Sequence, residues 1–513
     1  MSNKLFNSVS GRSPQKNLFN LSHEKKLSLN MGELVPIFCQ EVVPSDRFKL
    51  SSEILLRVAP LVSPIMHRVN VKLEAFFVPS RTLWDDWESF ITGGPTGNDL
   101  PAFPYIDIAE SRKQLFAKGT LSDYLGIAIP DQSASIIVNE KISALPFRAY
   151  QKIYNEYYRD QTLTPEVPFV TTGGALSGPE QEMIQELRRR SWEKDYFTSA
   201  LPQPQRGGDV ILPTDINYKT DVRAAAGTIQ IGEDVNIGGT INPFHLKGKT
   251  SGAELQVENI EDIGTTITDF RRASRLQEWL EAMARGGSRY IEQMKTMFGV
   301  TSSDARLQRA EFLGSSVMPI QISEVLSTFN SETAENPVAG ATMYGHGISA
   351  GSNFLFNKFF EEHGYIIVNL SVIPRSTYSS QGIPKMFQKF DKFEYYWPHF
   401  AHIGEQPILA KEIYYTGNAG DLAVPEVFGY TPRYAEYKFA LSSVHGDFRD
   451  SLDYWHMSRT FTAPPPLNSE FIEADPTERI FAVTDPDVDK IYVQVYHNCT
   501  AVRPMPVFGT PHL

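Results

Sequence analysis

Three stretches of this 513-residue chain alternate apolar and polar residues as half-buried β-strands do. In residues 67–78 the alternation places five apolar side chains on one face, and these are Val69, Val71, Leu73, Ala75 and Phe77. Residues 365–373 and 490–496 show the same period of two. The pattern therefore predicts β-strands in both halves of the chain.

Other segments carry apolar residues at helical spacing. Residues 81–91 are predicted to form one helix, which the pair Gly93-Gly94 would end. A second helix is predicted to open at Pro146, because proline is well tolerated in the first turn. A third is predicted after Ser177, whose spacing to Glu180 is that of a capping box.

Two further helices are predicted in residues 269–299. Asp269 is a candidate cap for the first, the pair Gly286-Gly287 separates the two, and Gly299 ends the second. Strands and helices do not alternate as βαβ units, so a doubly wound sheet is not expected. The pattern favours an antiparallel β-sandwich whose loops carry helical insertions. Such a sandwich needs about 100 to 200 residues, so more than half of the chain would be insertion.

Residues 205–265 differ in composition from the rest of the chain. They contain two aromatic residues, Tyr218 and Phe244, and nine glycines. A segment with so few rings has little core of its own. Two interpretations stay open: a loosely packed surface loop, or a projection that meets solvent and partners.

The charge distribution limits where nucleic acid could bind. The formal net charge is −12, so a surface that neutralises phosphate everywhere is excluded. Residues 1–30 have the opposite balance, with Glu24 as their only acidic residue against five basic ones: Lys4, Arg12, Lys16, Lys25 and Lys26. A solvated basic terminus is the simpler interpretation of this excess, and a surface that faces nucleic acid is the alternative.

Motifs for catalysis or metal binding are weak. Gly347-Ile348-Ser349-Ala350-Gly351 matches the nucleophile elbow of hydrolases, but that elbow needs a helix directly after the serine, and a strand is predicted next. His399 and His402 have ligand-like spacing without a further ligand motif, so packing beside aromatic residues is the expected role. We therefore predict no catalytic residue, no metal site and no cofactor.

The remaining features favour a structural or interaction protein. Aromatic residues make up 12% of the chain, and such rings suit half-buried sheets and large interfaces. Cys39 and Cys499 do not form a disulfide framework, which indicates a reducing compartment. The N-terminus shows no apolar signal-peptide core, and no apolar run approaches the roughly 20 residues of a membrane span.

Five stretches resemble the major capsid proteins of microviruses, and most closely those of the gokushovirus branch. The most specific of them contains ARGGSRY at 284–290 and DARLQR at 304–309. The stretches run nearly end to end in the expected order, and residues 205–265 are not covered by a motif. They are residues 67–94, 145–161, 269–314, 362–387 with the following YYWPHFAHIGEQPI, and 429–459.

The resemblance implies an eight-stranded antiparallel viral jelly-roll β-sandwich with long helical and loop insertions. It implies a T=1 icosahedral capsid of sixty copies around a circular single-stranded DNA genome, assembled in the cytoplasm of a bacterial host. The implied partners are a small basic internal DNA-binding protein, an internal scaffolding protein, a pilot protein and a host surface receptor, without membrane insertion. An acidic coat subunit is then reasonable, because another chain neutralises most of the genome's charge.

The chain is accordingly divided into four parts. Residues 1–50 hold an N-terminal arm and the first strand region, and residues 51–204 hold jelly-roll strands with helical insertions. Residues 205–265 form a glycine-rich surface insertion, the candidate protrusion at the three-fold axes. Residues 266–513 hold a helical insertion, the remaining strands and a C-terminal arm.

Two sets of residues receive expected roles. The candidates for facing nucleic acid are Arg12, Lys16, Lys25 and Lys26. The candidates for packing the insertions on the sandwich, or for lining subunit contacts, are Trp84, Trp87, Tyr154 and Tyr157. Two alternative functions stay open, a non-viral β-sandwich binding protein and a serine hydrolase that uses Ser349.

Overall fold

The computed structural model describes residues 15–508 with internal gaps, and it divides the chain into two compact units. One unit comprises Met1–Pro204 with Gly287–Leu513, and the other is Gln205–Gly286. The gaps in the description are residues 96–97, 130–131, 134, 137–139, 208–221, 225–228, 233–244, 249–254, 258–266, 288, 300, 302, 327–341 and 418–426.

Most regular structure is antiparallel β. The described strands are, in chain order, β1 (Asn17–Asn20), β2 (His23–Leu29), β3 (Val35–Val42), β4 (Arg47–Val58), β5 (Val69–Pro79), β6 (Tyr105–Ile108), β7 (Glu140–Ser143), β8 (Val222–Ala224), β9 (Ile229–Gly232), β10 (His245–Gly248), β11 (Leu255–Val257), β12 (Glu311–Pro319), β13 (Gln321–Leu326), β14 (Met343–Phe359), β15 (Gly364–Pro374), β16 (Glu405–Leu409), β17 (Val427–Pro432) and β18 (Ile491–Arg503).

Two sheets dominate the first unit. One has the order β1–β18–β4–β14–β13, and β2 also pairs with β18, beside the part that β1 leaves open. The other has the order β12–β5–β15–β3. Strands β12 and β13 are separated only by Ile320. The chain therefore passes at this residue from the second sheet into the first. The fold is thus a β-sandwich, as the strand periodicity predicted.

The inner faces of the two sheets form one core. Along β18 every second residue is buried from Ile491 to Ala501, and β4 alternates in the same way. Their inward side chains pack with those of the second sheet, for example Val495 and Leu56 with Val71 and Val368 in one cluster. Burial of apolar surface between the two sheets therefore stabilises the subunit.

The second sheet is also covered on its outer face. Phe76, Val78 and Ile367 point away from the sandwich core and belong to a second buried cluster. Insertions supply many of its other members, among them Trp84, which follows a 3-10 turn, and Tyr150 of a helix. As a result β15 is buried along nearly its whole length, whereas β4 and β18 have one exposed face.

The described α-helices are, in chain order, α1 (Trp87–Thr92), α2 (Leu121–Tyr124), α3 (Leu145–Ile153), α4 (Gly178–Gln185), α5 (Ile267–Gly286), α6 (Tyr290–Phe298), α7 (Ala410–Ile413) and α8 (Ser469–Ile472), and a π-helix at Tyr154–Tyr158 continues α3. Four of the predicted helices are present. Gly93 and Gly299 end α1 and α6 in the left-handed conformation, and the capping box of Ser177 and Glu180 opens α4.

Two helix predictions need correction. The single helix over 81–91 is wrong, because the chain forms a 3-10 turn at Ser80–Thr82 and then α1 from Trp87. Leu83 and Trp84 lie between these elements and are fully buried, so packing of both side chains overrides the helical spacing. Asp269 is not the cap of α5, which already begins at Ile267.

The second unit holds two small two-stranded sheets and a helix. Strand β9 pairs with β10, β8 pairs with β11, and α5 is its only described helix. The predicted surface insertion at 205–265 lies in this unit, mostly outside the described residues, and its role stays a prediction. Within the described part of the chain, no helix combines the length and apolarity needed to cross a bilayer.

Candidate interaction surface

The segment between β15 and β18 exposes an unusual number of large rings. We call this surface the aromatic face and define it by Phe387, Phe390, Phe393, Tyr395, Tyr396, Trp397, Tyr437 and Phe439, all of which are exposed. Phe390 is the extreme case, with 92% of its surface accessible. Clustered exposed apolar side chains mark interaction sites, whereas single ones do not.

Ring stacking and hydrogen bonds hold the aromatic face in a defined shape. Phe393 packs edge-on against Phe400 at a centroid distance of 5.3 Å, and Tyr396 packs on the buried Tyr434 at 5.2 Å. The Trp397 indole nitrogen donates to the carbonyl of Lys392 at 2.9 Å. The rings are therefore positioned before any partner arrives, which lowers the entropic cost of binding.

Charged residues fix the backbone beneath these rings. Glu394 accepts hydrogen bonds from the backbone N–H groups of Asp391 and Phe390, and these bonds lower the pKa of its carboxyl group. Lys389 forms an ion pair with Glu436 at 2.7 Å and lies 3.9 Å from the ring centre of Tyr437. Burial opposes its charge, yet the bond to Glu436 leaves the pKa of Lys389 raised.

A groove of about 890 Å³ runs beside the aromatic face. Its base contains Tyr196, Phe197 and Tyr378, which are buried, and its rim contains Phe387 and Phe439. The Tyr196 hydroxyl donates to the buried Glu412 carboxylate at 2.9 Å, and burial raises the pKa of Glu412. The groove and the rings together offer an apolar surface with a polar border, the composition of a protein interface.

The predicted nucleic-acid-facing residues do not share one environment. Arg12 lies outside the described residues. Lys16 is exposed, donates to the Ser45 carbonyl at 3.2 Å and lies over the ring of Phe359. Lys26 is exposed and pairs with Glu24 at 3.1 Å. The ammonium group of Lys25 instead donates to the carbonyls of Pro36 and Tyr124 within the subunit, and burial lowers its pKa.

The predicted packing residues lie where insertions meet the second sheet. Trp84 is fully buried and contacts the rings of Trp87 and Phe103 at 6.4 and 5.3 Å. Tyr157 packs on Phe76 of β5 at 4.7 Å. Tyr154 is also buried, beneath the guanidinium group of Arg188. A contact of any of these rings with a neighbouring copy stays a prediction.

Ser349 has no nucleophile-elbow geometry. It lies inside β14, is buried, and donates its hydroxyl to the Pro319 carbonyl at 3.0 Å. The strand continues to Phe359 rather than turning into a helix, so the context that exposes a nucleophile is missing. His399 and His402 are exposed, and the described residues contain no cluster of three or more metal-ligating side chains.

Periodicity did not identify the aromatic face. Its exposed rings follow neither the helical nor the strand period, because 3-10 turns separate them. The signal that could have found it is density alone, since seven of the 14 residues from 387 to 400 are aromatic. A dense aromatic run without periodicity can lie in a core or on a surface, and only the folded chain distinguishes the two.

Comparison with known proteins gives one consistent family. The model of the family described as capsid protein (F protein) matches residues 7–513. Capsid protein VP1 of Bdellovibrio phage phiMH2K is 35% identical, with 96% of this chain and 94% of the relative aligned. VP1 of Chlamydia phage 1 is 34% identical (99% and 97% aligned), and VP1 of Spiroplasma virus 4 is 31% identical (99% and 97% aligned).

Proposed function

This chain belongs to the family of microvirus capsid proteins, and on that basis we propose that sixty copies assemble into a T=1 icosahedral shell around a circular single-stranded DNA genome. Family membership makes it a structural component of the virion and not an enzyme. The two alternatives, a non-viral binding protein and a hydrolase using Ser349, are thereby replaced.

We further propose that the sandwich is an eight-stranded viral jelly roll. The strand order supports this when β1 with β2, and β12 with β13, each count as one interrupted strand. One sheet then contains the first, eighth, third and sixth strands, and the other contains the second, seventh, fourth and fifth. This interleaving is that of two Greek keys wrapped into one sandwich.

The aromatic face is the observation that carries the assembly proposal. Its rings are exposed in the single subunit, and Phe393 and Tyr396 are held in place by packing on neighbouring rings. Burial against a neighbouring copy would remove a large apolar surface from water, and Tyr, Trp and Phe are enriched at such contacts. We assign the aromatic face to contacts between copies.

The test is assembly of the full chain with the genes that flank it, followed by sedimentation and negative-stain electron microscopy. We expect closed particles from the unaltered protein, and folded subunits that do not close from the double variant Phe387→Ser with Phe390→Ser. Leu100→Ser is the matched control, because Leu100 is exposed outside the aromatic face. Normal particles from the double variant would contradict this assignment.

We propose that Arg12, Lys16 and Lys26 face the genome or the small basic internal protein, with Lys25 contributing mainly to subunit packing. The exposure of Lys16 and Lys26 supports their part. Replacing Arg12, Lys16 and Lys26 with glutamine should lower the DNA content of particles while subunits still fold. Unchanged DNA content in purified particles would overturn this role.

We propose that residues 205–265 form the three-fold protrusion and contribute to host attachment, and that scaffolding and pilot proteins act in assembly and delivery. The low aromatic content of this segment supports a surface role. Its deletion should leave subunit folding intact and remove projections or attachment, as measured by electron microscopy and adsorption to host cells. Loss of subunit folding would contradict the proposal.

A further inference from the structure

A second pocket lies at one end of the sandwich, where β5 begins and β15 ends. Its volume is about 320 Å³. We call it the arginine pocket and define it by Arg68, Arg375, His67, His445, His456 and Ser458. It contains none of the rings of the aromatic face and none of the basic N-terminal residues, although His445 also lines the groove beside the aromatic face.

Two arginines lie opposite each other at its entrance. The backbone N–H of Arg375 donates to the carbonyl of Arg68 at 2.9 Å, one step beyond the paired residues Pro374 and Val69. Both side chains are exposed, and neither forms an ion pair with the described residues. An anion bound between these two like charges on neighbouring strands would be attracted by both.

Two histidines of the pocket wall, His67 and His456, already have hydrogen-bond partners at both ring nitrogens. His67 Nε2 lies 2.8 Å from the Arg375 carbonyl, and its Nδ1 accepts from the backbone N–H of Met457. His456 Nε2 lies 2.6 Å from the Phe448 carbonyl, and its Nδ1 accepts from the backbone N–H of Ser458. In both rings Nε2 thus faces a carbonyl oxygen and Nδ1 faces a backbone N–H group. The two arginines are the permanently charged groups of the pocket lining.

Ser458 places a buried hydroxyl in the wall of the pocket. Only 1% of its surface is accessible, and its hydroxyl has no hydrogen-bond partner among the described residues. Buried hydroxyls are nearly always bonded, so the Ser458 hydroxyl is a donor that a bound water or a ligand in the pocket would satisfy. No Asp or Glu belongs to the described lining of this pocket. Guanidinium and hydroxyl donors without a competing carboxylate are the chemistry that recognises an anion.

We propose that the arginine pocket binds a phosphate group, either of free phosphate or of a single-stranded DNA backbone. Arginine presents several donors in a planar fork that matches phosphate oxygens, and phosphate accepts more hydrogen bonds than a carboxylate does. Phe448 lines the same pocket, and in single-strand binding sites aromatic side chains near the phosphate-binding groups stack on the bases. Phosphate binding by this pocket does not depend on the proposed capsid role. Only the assignment of the phosphate to a single-stranded DNA backbone rests on that role.

The experiment titrates the full-length protein with inorganic phosphate, with oligothymidylate and with polyglutamate at constant ionic strength, using calorimetry. We expect phosphate or oligothymidylate to bind, and binding to weaken at least about ten-fold in the double variant Arg68→Gln with Arg375→Gln. The matched control is Lys49→Gln with Arg57→Gln, which removes the same charge from exposed positions on β4. It should bind as the unaltered protein does.

Ser458→Ala separates a built site from general attraction, because it changes no charge. We expect roughly three- to ten-fold weaker binding from the loss of one hydrogen bond. Tighter binding of oligothymidylate than of phosphate identifies the DNA backbone as the source, and the reverse identifies free phosphate. Equal binding by both double variants, or polyglutamate binding as tightly as either phosphate ligand, would overturn the proposal. Particle formation, scored separately, reports on the capsid role.

Discussion

Phenylalanine side chains occupy two opposite environments in this subunit. In the sandwich core, Phe360 packs against Phe77 and Phe48 at centroid distances of 4.7 and 6.0 Å, and all three are buried. On the aromatic face, Phe387 and Phe390 are exposed although their neighbours are well ordered by hydrogen bonds. The first set stabilises the subunit, whereas the second contributes little until another surface covers it.

Phenylalanine thus contributes at two levels of organisation in this protein, the folding of one copy and the association of several. Core rings gain their free energy when the chain folds, and this gain depends on close packing within one copy. Rings on the aromatic face can gain theirs only on association. Substitutions in the core should therefore change the stability of the subunit, whereas substitutions on the aromatic face should change assembly.

The largest expected effect on stability is in the core. Phe360→Ala removes a buried ring and leaves a cavity beside Phe48 of β4 and Phe77 of β5, so the free energy of unfolding should fall by about 3–5 kcal/mol. Denaturant unfolding of the purified subunit measures this. A loss below about 1 kcal/mol would mean that the core relaxes around the gap. It would contradict the expected difference in stability effect between core rings and rings of the aromatic face.

A buried histidine should make the core sensitive to acid. Burial, with a smaller contribution from His23, lowers the pKa of His497 to about 4. The unfolded chain binds the proton near pH 6.5, so stability is lost as the pH falls from about 6.5 to about 4, by about 3 kcal/mol in total. Carboxyl groups also titrate in this range, and the comparison is therefore with His497→Gln. The pH slope of the variant should be shallower by that amount, and equal slopes would refute the assignment.

Substitution of Lys25 and substitution of Lys26 should change the free energy of unfolding by different amounts, and both changes should be smaller than those above. Lys25→Gln removes a half-buried ammonium that donates to the carbonyls of Pro36 and Tyr124, and should cost about 1–2 kcal/mol of stability. Lys26→Gln removes an exposed charge and should change stability by less than about 0.5 kcal/mol. Unfolding of both variants side by side checks this difference. Equal losses would show that exposure does not separate the two lysines.

The smallest effect on stability is expected on the aromatic face. The double variant Phe387→Ser with Phe390→Ser should unfold within about 0.5 kcal/mol of the unaltered protein, because both rings are already in water. Unfolding and particle yield are to be measured on the same preparation. A large loss of stability would show that these rings belong to the subunit core after all.

Strand positions could be predicted where interior residues are apolar. The predicted strands at 67–78 and 365–373 correspond closely to β5 and β15. The third strand was predicted to stop at Tyr496, yet β18 continues to Arg503. His497 and Cys499 are the inward residues of that extension, and a polar ring among apolar neighbours hides the alternation. The sequence pattern does not reveal that Ser52 and the Ile37 carbonyl lie against that imidazole.

The candidate surfaces were less predictable than the strands. The pattern at 81–91 suggested one helical face, but Trp84 belongs to a core built with Phe103 and other distant residues. The arginine pocket joins Arg68 to Arg375, which are far apart in the chain and adjacent only because β5 pairs with β15. No local pattern marks either residue.

The sequence by itself determined the sandwich class, several helix ends at glycine and the family of the chain. These follow from local periodicity, from backbone conformations that glycine adopts readily, and from motifs that need no coordinates. Only the tertiary structure decided which rings are buried, which stay exposed on the aromatic face, and which charges meet. The reason is that burial and pairing depend on contacts between distant segments, whereas periodicity reports only how one segment divides its own faces.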